Sequence, residues 1–183
     1  MKIDVTLEIT PEMMKTAKDN GGNAPIGHMG THFDVMDKEF PLDYTERVAV
    51  VFDVSHVEGR EIGMEDIDLD RVREGMFVGF YTGFLEREGY GTPTYFQGHP
   101  ELSRDLIEAL LCRGVSVIGV DFAGIRRAGE HIPMDRHCAE RGAFVVENLA
   151  NLRAAVGEGA VAHIYPMRYK GMTGLPCRVI LEK

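Results

Sequence analysis

The stretch Gly27-His28-Met29-Gly30-Thr31-His32-Phe33-Asp34 concentrates more metal-binding side chains than any other part of the chain. Histidine nitrogen and aspartate oxygen are suitable ligands for zinc and for harder divalent ions such as manganese. A glycine and a β-branched threonine lie between the two histidines and disfavour a helix. Residues of equal parity share one face of an extended chain, so His28, His32 and Asp34 are predicted to point the same way. Two solvated loop histidines are the alternative, but the carboxylate in phase with them favours a metal site.

Apolar segments on both sides of this stretch predict a set of core strands. They are residues 1–10, 46–54, 75–83, 115–121, 142–147, 161–166 and 178–181. A helix is predicted from its cap at Ser103 through Arg113, and Pro11 either ends the first strand or opens a short helical turn through Lys18. Residues 19–23 are predicted to form a loop. Strands outnumber helices, but a helix–loop–strand rhythm in the middle of the chain predicts a mixed α/β fold.

Composition narrows the class of protein. A length of 183 residues predicts one domain spanning residues 1–183, and 44% hydrophobic with 27% charged residues is typical of a soluble globular protein. No apolar run approaches the roughly 20 residues of a membrane helix, and the N-terminus lacks the apolar core of a signal peptide. A net charge of −9 argues against nucleic acid as a partner.

The cysteines indicate a compartment. Cys112, Cys138 and Cys177 are far apart and odd in number, which suits a reducing cytoplasm better than a disulfide scaffold. A cytoplasmic location is therefore predicted.

The chain also resembles the cyclase family of metal-dependent hydrolases, which includes bacterial kynurenine formamidase (arylformamidase) and isatin hydrolase. Residues 28–34 resemble its His-x-Gly-Thr-His-x-Asp signature. Weaker similarities follow in the family's own order, at residues 75–84, 99–103, 114–121, 142–149 and 171–178. Each is weak alone, but their common order along most of the chain strengthens the resemblance.

This resemblance implies a swivelling β/β/α fold, that is, a single α/β domain with a mixed sheet and flanking helices, assembled as a homodimer or larger oligomer. It also implies a metal site with one or two ions, Zn²⁺ or Mn²⁺. By residue match, the implied ligands are His28, His32, Asp34, His137 and Glu147. His131 is an alternative to His137, because the interval from His137 to Glu147 is shorter than in the formamidases.

Two residues are candidates for a catalytic role. Lys38 stands where the family has its catalytic histidine. A lysine needs a strongly depressed pKa to act as a base near pH 7, so a charged electrostatic group or a surface residue is the alternative. His99, on a loop before the Ser103 helix, could approach the cleft, with a surface loop histidine as the alternative. Asp121 ends an apolar strand, where functional residues are common, with a helix-capping or ligand-supporting role as the alternative. The Arg126–Arg127 pair could receive a substrate carboxylate, with a solvated charge pair as the alternative.

The expected function is a metal-dependent hydrolase that cleaves an amide, lactam or ester bond of a small molecule, acting on C–N bonds in the manner of an arylformamidase. A bound divalent ion lowers the pKa of water and polarises a carbonyl, and Asp34 is the carboxylate best suited to bridge two ions. The alternative is a catalytically altered family member that binds a metal or small ligand without turnover, an interpretation that Lys38 keeps open.

Overall fold

The computed structural model describes residues 1–19 and 27–183. Within them the strands are β1 (Lys2–Asp4), β2 (His32–Asp34), β3 (Glu46–Asp53), β4 (Phe77–Tyr81), β5 (Val117–Val120), β6 (Phe144–Glu147), β7 (Gly157–Pro166) and β8 (Gly174–Glu182). The α-helices are α1 (Pro11–Asp19), α2 (Phe84–Glu88), α3 (Pro93–Gly98), α4 (Arg104–Cys112) and α5 (His131–Glu140). Short 3₁₀ turns occur at Leu42–Thr45, Met64–Asp66, Leu69–Arg71, Ala128–Glu130 and Leu152–Ala155.

The strands form one mixed sheet in the order β1-β8-β2-β6-β5-β4-β3-β7, and β7 also pairs with β8. This last pairing closes the sheet on itself. The four strands β3, β4, β5 and β6 run parallel to their neighbours within that group, whereas β2, β7 and β8 pair antiparallel. The short β2 is central to the site, because it lies between β6 and β8.

Two apolar cores follow from the alternation of side chains along these strands. One lines the inside of the closed sheet and includes Val51 and Phe77. The other lies between the outside of the sheet and the helices, where Val50 packs in one cluster with Leu106 and Leu110 of α4. Adjacent residues of β3 therefore serve different cores, and the strands β4, β5 and β6 are buried on both faces, as parallel strands usually are.

The predicted mixed α/β domain with a mixed sheet and flanking helices is confirmed. The Ser103 helix is also confirmed, because the Ser103 hydroxyl accepts a hydrogen bond from the Leu106 N–H at 3.1 Å. The first strand is shorter than predicted, ending at Asp4. The loop predicted at residues 19–23 falls almost entirely outside the described residues. Across residues 1–19 and 27–183, no helix combines the length and apolar character needed to cross a membrane.

Candidate metal centre

Strands β2 and β6 bring three of the predicted ligands together. His32 lies opposite Glu147 in the antiparallel register, and Asp34 lies two residues further along β2. Nε2 of His32 is 3.6 Å from Oδ2 of Asp34 and 3.6 Å from Oε2 of Glu147. All three residues are 2–3% exposed. His32 and Asp34 share a face of β2, as residues of equal parity do.

His28 reaches the same place from a turn that precedes β2, not from the strand. Gly30 has a φ of 68°, a left-handed conformation that glycine adopts readily. The turn places Nδ1 of His28 3.1 Å from Oδ1 of Asp34. A Cβ atom at Gly174 would lie only 2.6 Å from Nε2 of His28, so the strand β8 must carry glycine at this point. The imidazole is held on its far side by Thr173, whose Oγ1 is 2.9 Å from Nε2.

Helix α5 supplies two more donors, His131 and Asp135, one helical turn apart. Nε2 of His131 lies 3.0 Å from Oδ2 of Asp135 and 3.0 Å from Oε1 of Glu147. The donors form two groups that could each hold an ion. They are His28, His32 and Asp34 in one, and Asp34, His131, Asp135 and Glu147 in the other, with the ligand atoms of each group within 4.8 Å of one another. Asp34 belongs to both groups.

Several oxygen atoms of this cluster lack the partners that buried carboxylates need. Oδ2 of Asp34, both carboxylate oxygens of Asp135 and Oε1 of Glu147 are buried without a hydrogen bond from any residue of the described chain. The approach of His131 to the last two residues is close but lacks hydrogen-bond direction. Buried polar atoms are normally satisfied, and an unpaired buried charge is costly. A divalent cation between these oxygens would satisfy them, so the residues fit a metal.

The charges of the cluster act strongly on one another. Burial and the neighbouring charge of Asp34 raise the pKa of Glu147 well above its usual value. Burial likewise raises the pKa of Asp135 to about 6. Burial opposes the charged form of His131, yet the carboxylates of Asp135 and Glu147 raise its pKa to about 11. Without a metal, this imidazolium is therefore the main counter-charge of the second group.

A backbone carbonyl group fixes the tautomer of His32. Its Nδ1 lies 2.8 Å from the carbonyl oxygen of Gly30, which can only accept a hydrogen bond, so Nδ1 carries the proton. Burial lowers the pKa of His32, which favours the neutral ring. The lone pair on Nε2 then faces two carboxylates, an arrangement that a cation between them would stabilise. Backing of a histidine by a carbonyl is typical of metal ligands.

Asn148 completes this support. It has a φ of 59° and donates from Nδ2 to the same Gly30 carbonyl oxygen at 2.9 Å. Its own Oδ1 accepts a hydrogen bond from the Tyr95 hydroxyl at 2.7 Å, and its backbone carbonyl accepts one from Thr31 at 2.8 Å. This buried network holds the turn at Gly30 and thereby the orientation of His32.

The position predicted for His137 needs correction. The structure places its imidazole on the outer side of α5, where Nε2 lies 2.6 Å from Oε1 of Glu108. His131, the alternative that the sequence left open, takes its place beside Glu147. The physical reason is helical geometry, because six residues turn the helix by about 600°, which separates His137 from His131 by roughly 120° around the helix.

The two candidate catalytic residues differ in their surroundings. Lys38 is exposed, and its ammonium group lies 3.5 Å from Asp37. The structure therefore does not bring it into the donor cluster. His99 is buried, stacks on Phe122 with ring centroids 5.6 Å apart, and contacts the carbonyl oxygen of Pro100 through Nδ1 at 2.7 Å. Burial lowers the pKa of His99 to about 4, so its ring is neutral at pH 7 with a free lone pair on Nε2.

The other polar candidates serve the fold. The buried carboxylate of Asp121 accepts hydrogen bonds from the backbone N–H groups of Thr82 and Gly83 and from the Thr82 hydroxyl at 2.6 Å. It holds the turn after β4. Arg126 is buried and pairs with Glu61 and Glu130. The guanidinium of Arg126 therefore already binds protein carboxylates and is not available for a substrate carboxylate.

Glu101 gives the first testable prediction. Both of its oxygens accept hydrogen bonds from Arg127, at 2.9 Å from the backbone N–H and 2.6 Å from the side chain. Burial opposes ionisation, but these bonds hold the pKa of Glu101 below its usual value. A depressed carboxyl pKa contributes stability above the unfolded-state pKa and loses it as the pH falls through the folded-state pKa. E101Q should therefore lower the free energy of unfolding by about 1–2 kcal/mol at pH 7, with a smaller difference at pH 4.

Urea denaturation at both pH values measures this difference. Glu88→Gln is the matched control, because Glu88 pairs with its exposed neighbour Arg87 and should change stability by less than about 0.5 kcal/mol. A gap between wild type and E101Q that stays constant with pH would contradict the ionic role of Glu101.

Asp135, Asn148 and Tyr95 are the site residues that the sequence reading missed. The spacing His131-x-x-x-Asp135 was a usable signal, because residues four apart share a helix face. It was overlooked because no helix was predicted around α5, whose apolar pattern is weak. The roles of Asn148 and Tyr95 depend on contacts between distant segments and have no local signature.

The closed mixed sheet and the donor cluster define an α/β protein with a candidate binuclear metal centre. A family-level comparison assigns the chain to a family. The sequence model of the Cyclase family, described as "Putative cyclase", matches residues 3–126, more than half of the chain. The chain therefore belongs to the cyclase family. No curated protein matches it in sequence.

Solved structures share the fold over nearly the whole chain. One, described as a potential metal-dependent hydrolase with cyclase activity, is 25% identical with a TM-score of 0.72, covering 99% of this chain and 98% of the other. A predicted metal-dependent hydrolase from Bacillus stearothermophilus is 24% identical with a TM-score of 0.74, covering 99% and 97%. Isatin hydrolase A from Labrenzia aggregata, bound to benzyl benzoate, is 21% identical with a TM-score of 0.75, covering 99% and 93%.

Proposed function

We propose that this protein is a metal-dependent hydrolase that cleaves an amide, lactam or ester bond of a small molecule. The observation that carries the proposal is the set of buried carboxylate oxygens that have no hydrogen-bond partner among residues 1–19 and 27–183 and lie within the two donor groups. Membership of the cyclase family and the solved hydrolases of the same fold support it. Within this class, C–N bond cleavage in the manner of an arylformamidase or isatin hydrolase is the proposed specificity.

A charge count is compatible with two ions. Asp34, Asp135 and Glu147 carry three negative charges when ionised, and all three are buried. With neutral imidazoles, two divalent ions would leave a single positive charge for an anionic nucleophile or substrate group to balance, whereas one ion would need the His131 imidazolium as a further counter-charge. Buried charge is tolerated only when it is compensated in this way. We propose that each group would hold Zn²⁺ or Mn²⁺ and that Asp34, as a member of both groups, would help to hold both ions.

The chemistry divides between the ions and the chain. Divalent ions bound here would polarise the scissile carbonyl and lower the pKa of a water molecule. His32 is held in the tautomer that presents Nε2 to the ions, through the Gly30 carbonyl. His99 is neutral, and its Nε2 can accept a proton, which makes it our candidate for the proton-transfer residue. Its low pKa limits that role to transient proton transfer, and Lys38 would act only at long range.

One observation favours a second function, binding without turnover. The residue in the position of the family's catalytic histidine is Lys38, which is exposed and paired with Asp37. A chain that lost this histidine could keep the metal centre as a ligand-binding site. Turnover separates the two functions, because both require metal.

The test of the proposal is metal content followed by a substrate panel. Protein purified without a histidine tag or added metal should contain about two equivalents of zinc or manganese by elemental analysis. The metal-loaded protein should hydrolyse at least one member of a panel of formanilides, lactams and aryl esters, and chelation should abolish the activity. Metal binding without turnover would favour the second function. A chain that refuses both metals would overturn both.

We also propose a cytoplasmic homodimer or larger homo-oligomer. Val48 and Val161 pair across β3 and β7 and are exposed at 59% and 37%, which leaves an apolar patch on the outer face of the sheet. The three cysteines are free thiols, which suits a reducing compartment. Light scattering of the purified protein measures the oligomeric state directly.

A further inference from the structure

Tyr90 is attached to the turn that orients His32, although it lies far from the metal-binding stretch in sequence. Its hydroxyl oxygen accepts a hydrogen bond from the N–H of Gly30 at 2.9 Å. The carbonyl oxygen of the same Gly30 is the group that fixes the tautomer of His32 at 2.8 Å. The phenol oxygen of Tyr90 is therefore anchored to the residue midway between the two signature histidines.

The hydroxyl hydrogen of Tyr90 has no acceptor among the described residues. The oxygen uses a lone pair for the Gly30 N–H, and within residues 1–19 and 27–183 the O–H group donates to no protein acceptor. Burial and the nearby charge of Glu147 raise the pKa of Tyr90, so the phenol remains protonated and able to donate. Because Gly30 also contacts the ring of His32, its hydrogen bond holds this hydroxyl close to the donor cluster.

The neighbouring Tyr95 differs from Tyr90, because its hydroxyl hydrogen has a protein acceptor. Tyr95 is fully buried, and its hydroxyl donates to Asn148 at 2.7 Å. Tyr90 is only half-buried, and edge-to-face contacts with Tyr95 and Phe96, at centroid distances of 5.6 and 5.7 Å, hold its ring. Tyr95 therefore uses its hydroxyl hydrogen in a structural hydrogen bond. The hydroxyl of Tyr90 is instead a rigidly held donor at the edge of the site.

We propose that the Tyr90 hydroxyl donates a hydrogen bond to the carbonyl oxygen of the substrate and stabilises the negative charge that develops there. This proposal rests on the proposed hydrolase function. As water oxygen bonds to the carbonyl carbon, the C=O electron pair moves onto oxygen. It returns when the C–N or C–O bond breaks, and the leaving group takes the proton that the attacking water releases. A pre-positioned donor at such an oxygen typically contributes about 10²–10³-fold in rate.

The experiment compares Tyr90→Phe with Tyr44→Phe. Tyr44 is the matched control, because its hydroxyl donates to the Gly142 carbonyl at 3.1 Å away from the donor cluster. Each metal-loaded variant is assayed for metal content, melting temperature, kcat and KM on the panel member that wild type cleaves, and affinity for benzoate, a carboxylate like the product. We expect Y90F to keep its metal and lose about 10²-fold or more in kcat, with weaker benzoate binding. Y44F should match wild type.

The outcomes separate this proposal from the proposed function. Wild-type turnover with undiminished kcat in Y90F would overturn the role of Tyr90 alone. Loss of metal or a large fall in melting temperature in Y90F would assign Tyr90 to holding the Gly30 turn, which also overturns the proposal. If metal-loaded wild type cleaves nothing, the hydrolase fails, and the benzoate dissociation constant decides: a tenfold rise in Y90F supports an oxygen-binding donor, and no change refutes it.

Discussion

Replacing Asp34 with asparagine is expected to remove both metal ions and to lower turnover by on the order of 10³-fold or more. Asp34 is the only residue that belongs to both donor groups of the described chain. Asparagine keeps the shape of the side chain but offers one neutral oxygen in place of two charged ones. The several kcal/mol that a metal ion contributes to the transition state are lost with it. Elemental analysis and the turnover assay of D34N measure both effects.

Asp37→Asn is the matched control for this variant. Asp37 is three residues away and exposed, and its carboxylate lies 3.5 Å from the ammonium group of Lys38. D37N should retain its metal and should change stability by less than about 0.5 kcal/mol. D34N with full metal content and normal turnover would refute the metal centre. Loss of turnover in D37N would instead give Lys38 and its neighbour a part in the reaction.

Local sequence was enough to predict the part of the site that lies on one strand. His32 and Asp34 are two residues apart, so their common face follows from strand periodicity alone. His28 was assigned to the same face by the same rule, but it reaches Asp34 through a turn at Gly30. His28 therefore lies beside Asp34 as predicted, but the turn places it there and strand parity does not. A left-handed glycine and a glycine in β8 provide the geometry.

The remainder of the site depends on pairing between distant segments. Glu147 faces His32 because β6 pairs antiparallel with β2, a register that no local pattern encodes. The resemblance to the cyclase family supplied Glu147, whereas strand periodicity could not. The closure of the sheet has the same character, because the consecutive strands β7 and β8 pair with each other and also with the distant strands β3 and β2 respectively.

The side chains of helix α5 that join the donor cluster could not be predicted from the sequence pattern. The choice between His131 and His137 depends on the phase and the start of this helix. Its weak apolar pattern concealed both features, and Pro133 at its third position is tolerated only because it lies in the first turn. Once the helix begins at His131, the phase places His131 and Asp135 on one face. Asp135 then follows as a donor.

Replacing His131 with glutamine is expected to empty the second donor group while leaving the first one occupied. Metal content should fall from about two equivalents to one, and turnover should fall by at least about 10²-fold because a binuclear clamp needs both ions. The metal-free variant should also melt at a lower temperature than metal-free wild type. The His131 imidazolium is the counter-charge to Asp135 and Glu147 in wild type. Removing one partner of a buried charge cluster leaves the others uncompensated.

His137→Gln provides the contrast on the same helix. Its partner Glu108 is exposed, so H137Q should keep two equivalents of metal and full turnover, with a stability change of less than about 0.5 kcal/mol. The reverse result, with metal lost in H137Q and kept in H131Q, would mean that α5 adopts a different phase in the metal-loaded protein. Retention of both ions in the two variants would mean that neither histidine is needed to hold an ion, which would contradict the assignment of His131 to the second donor group.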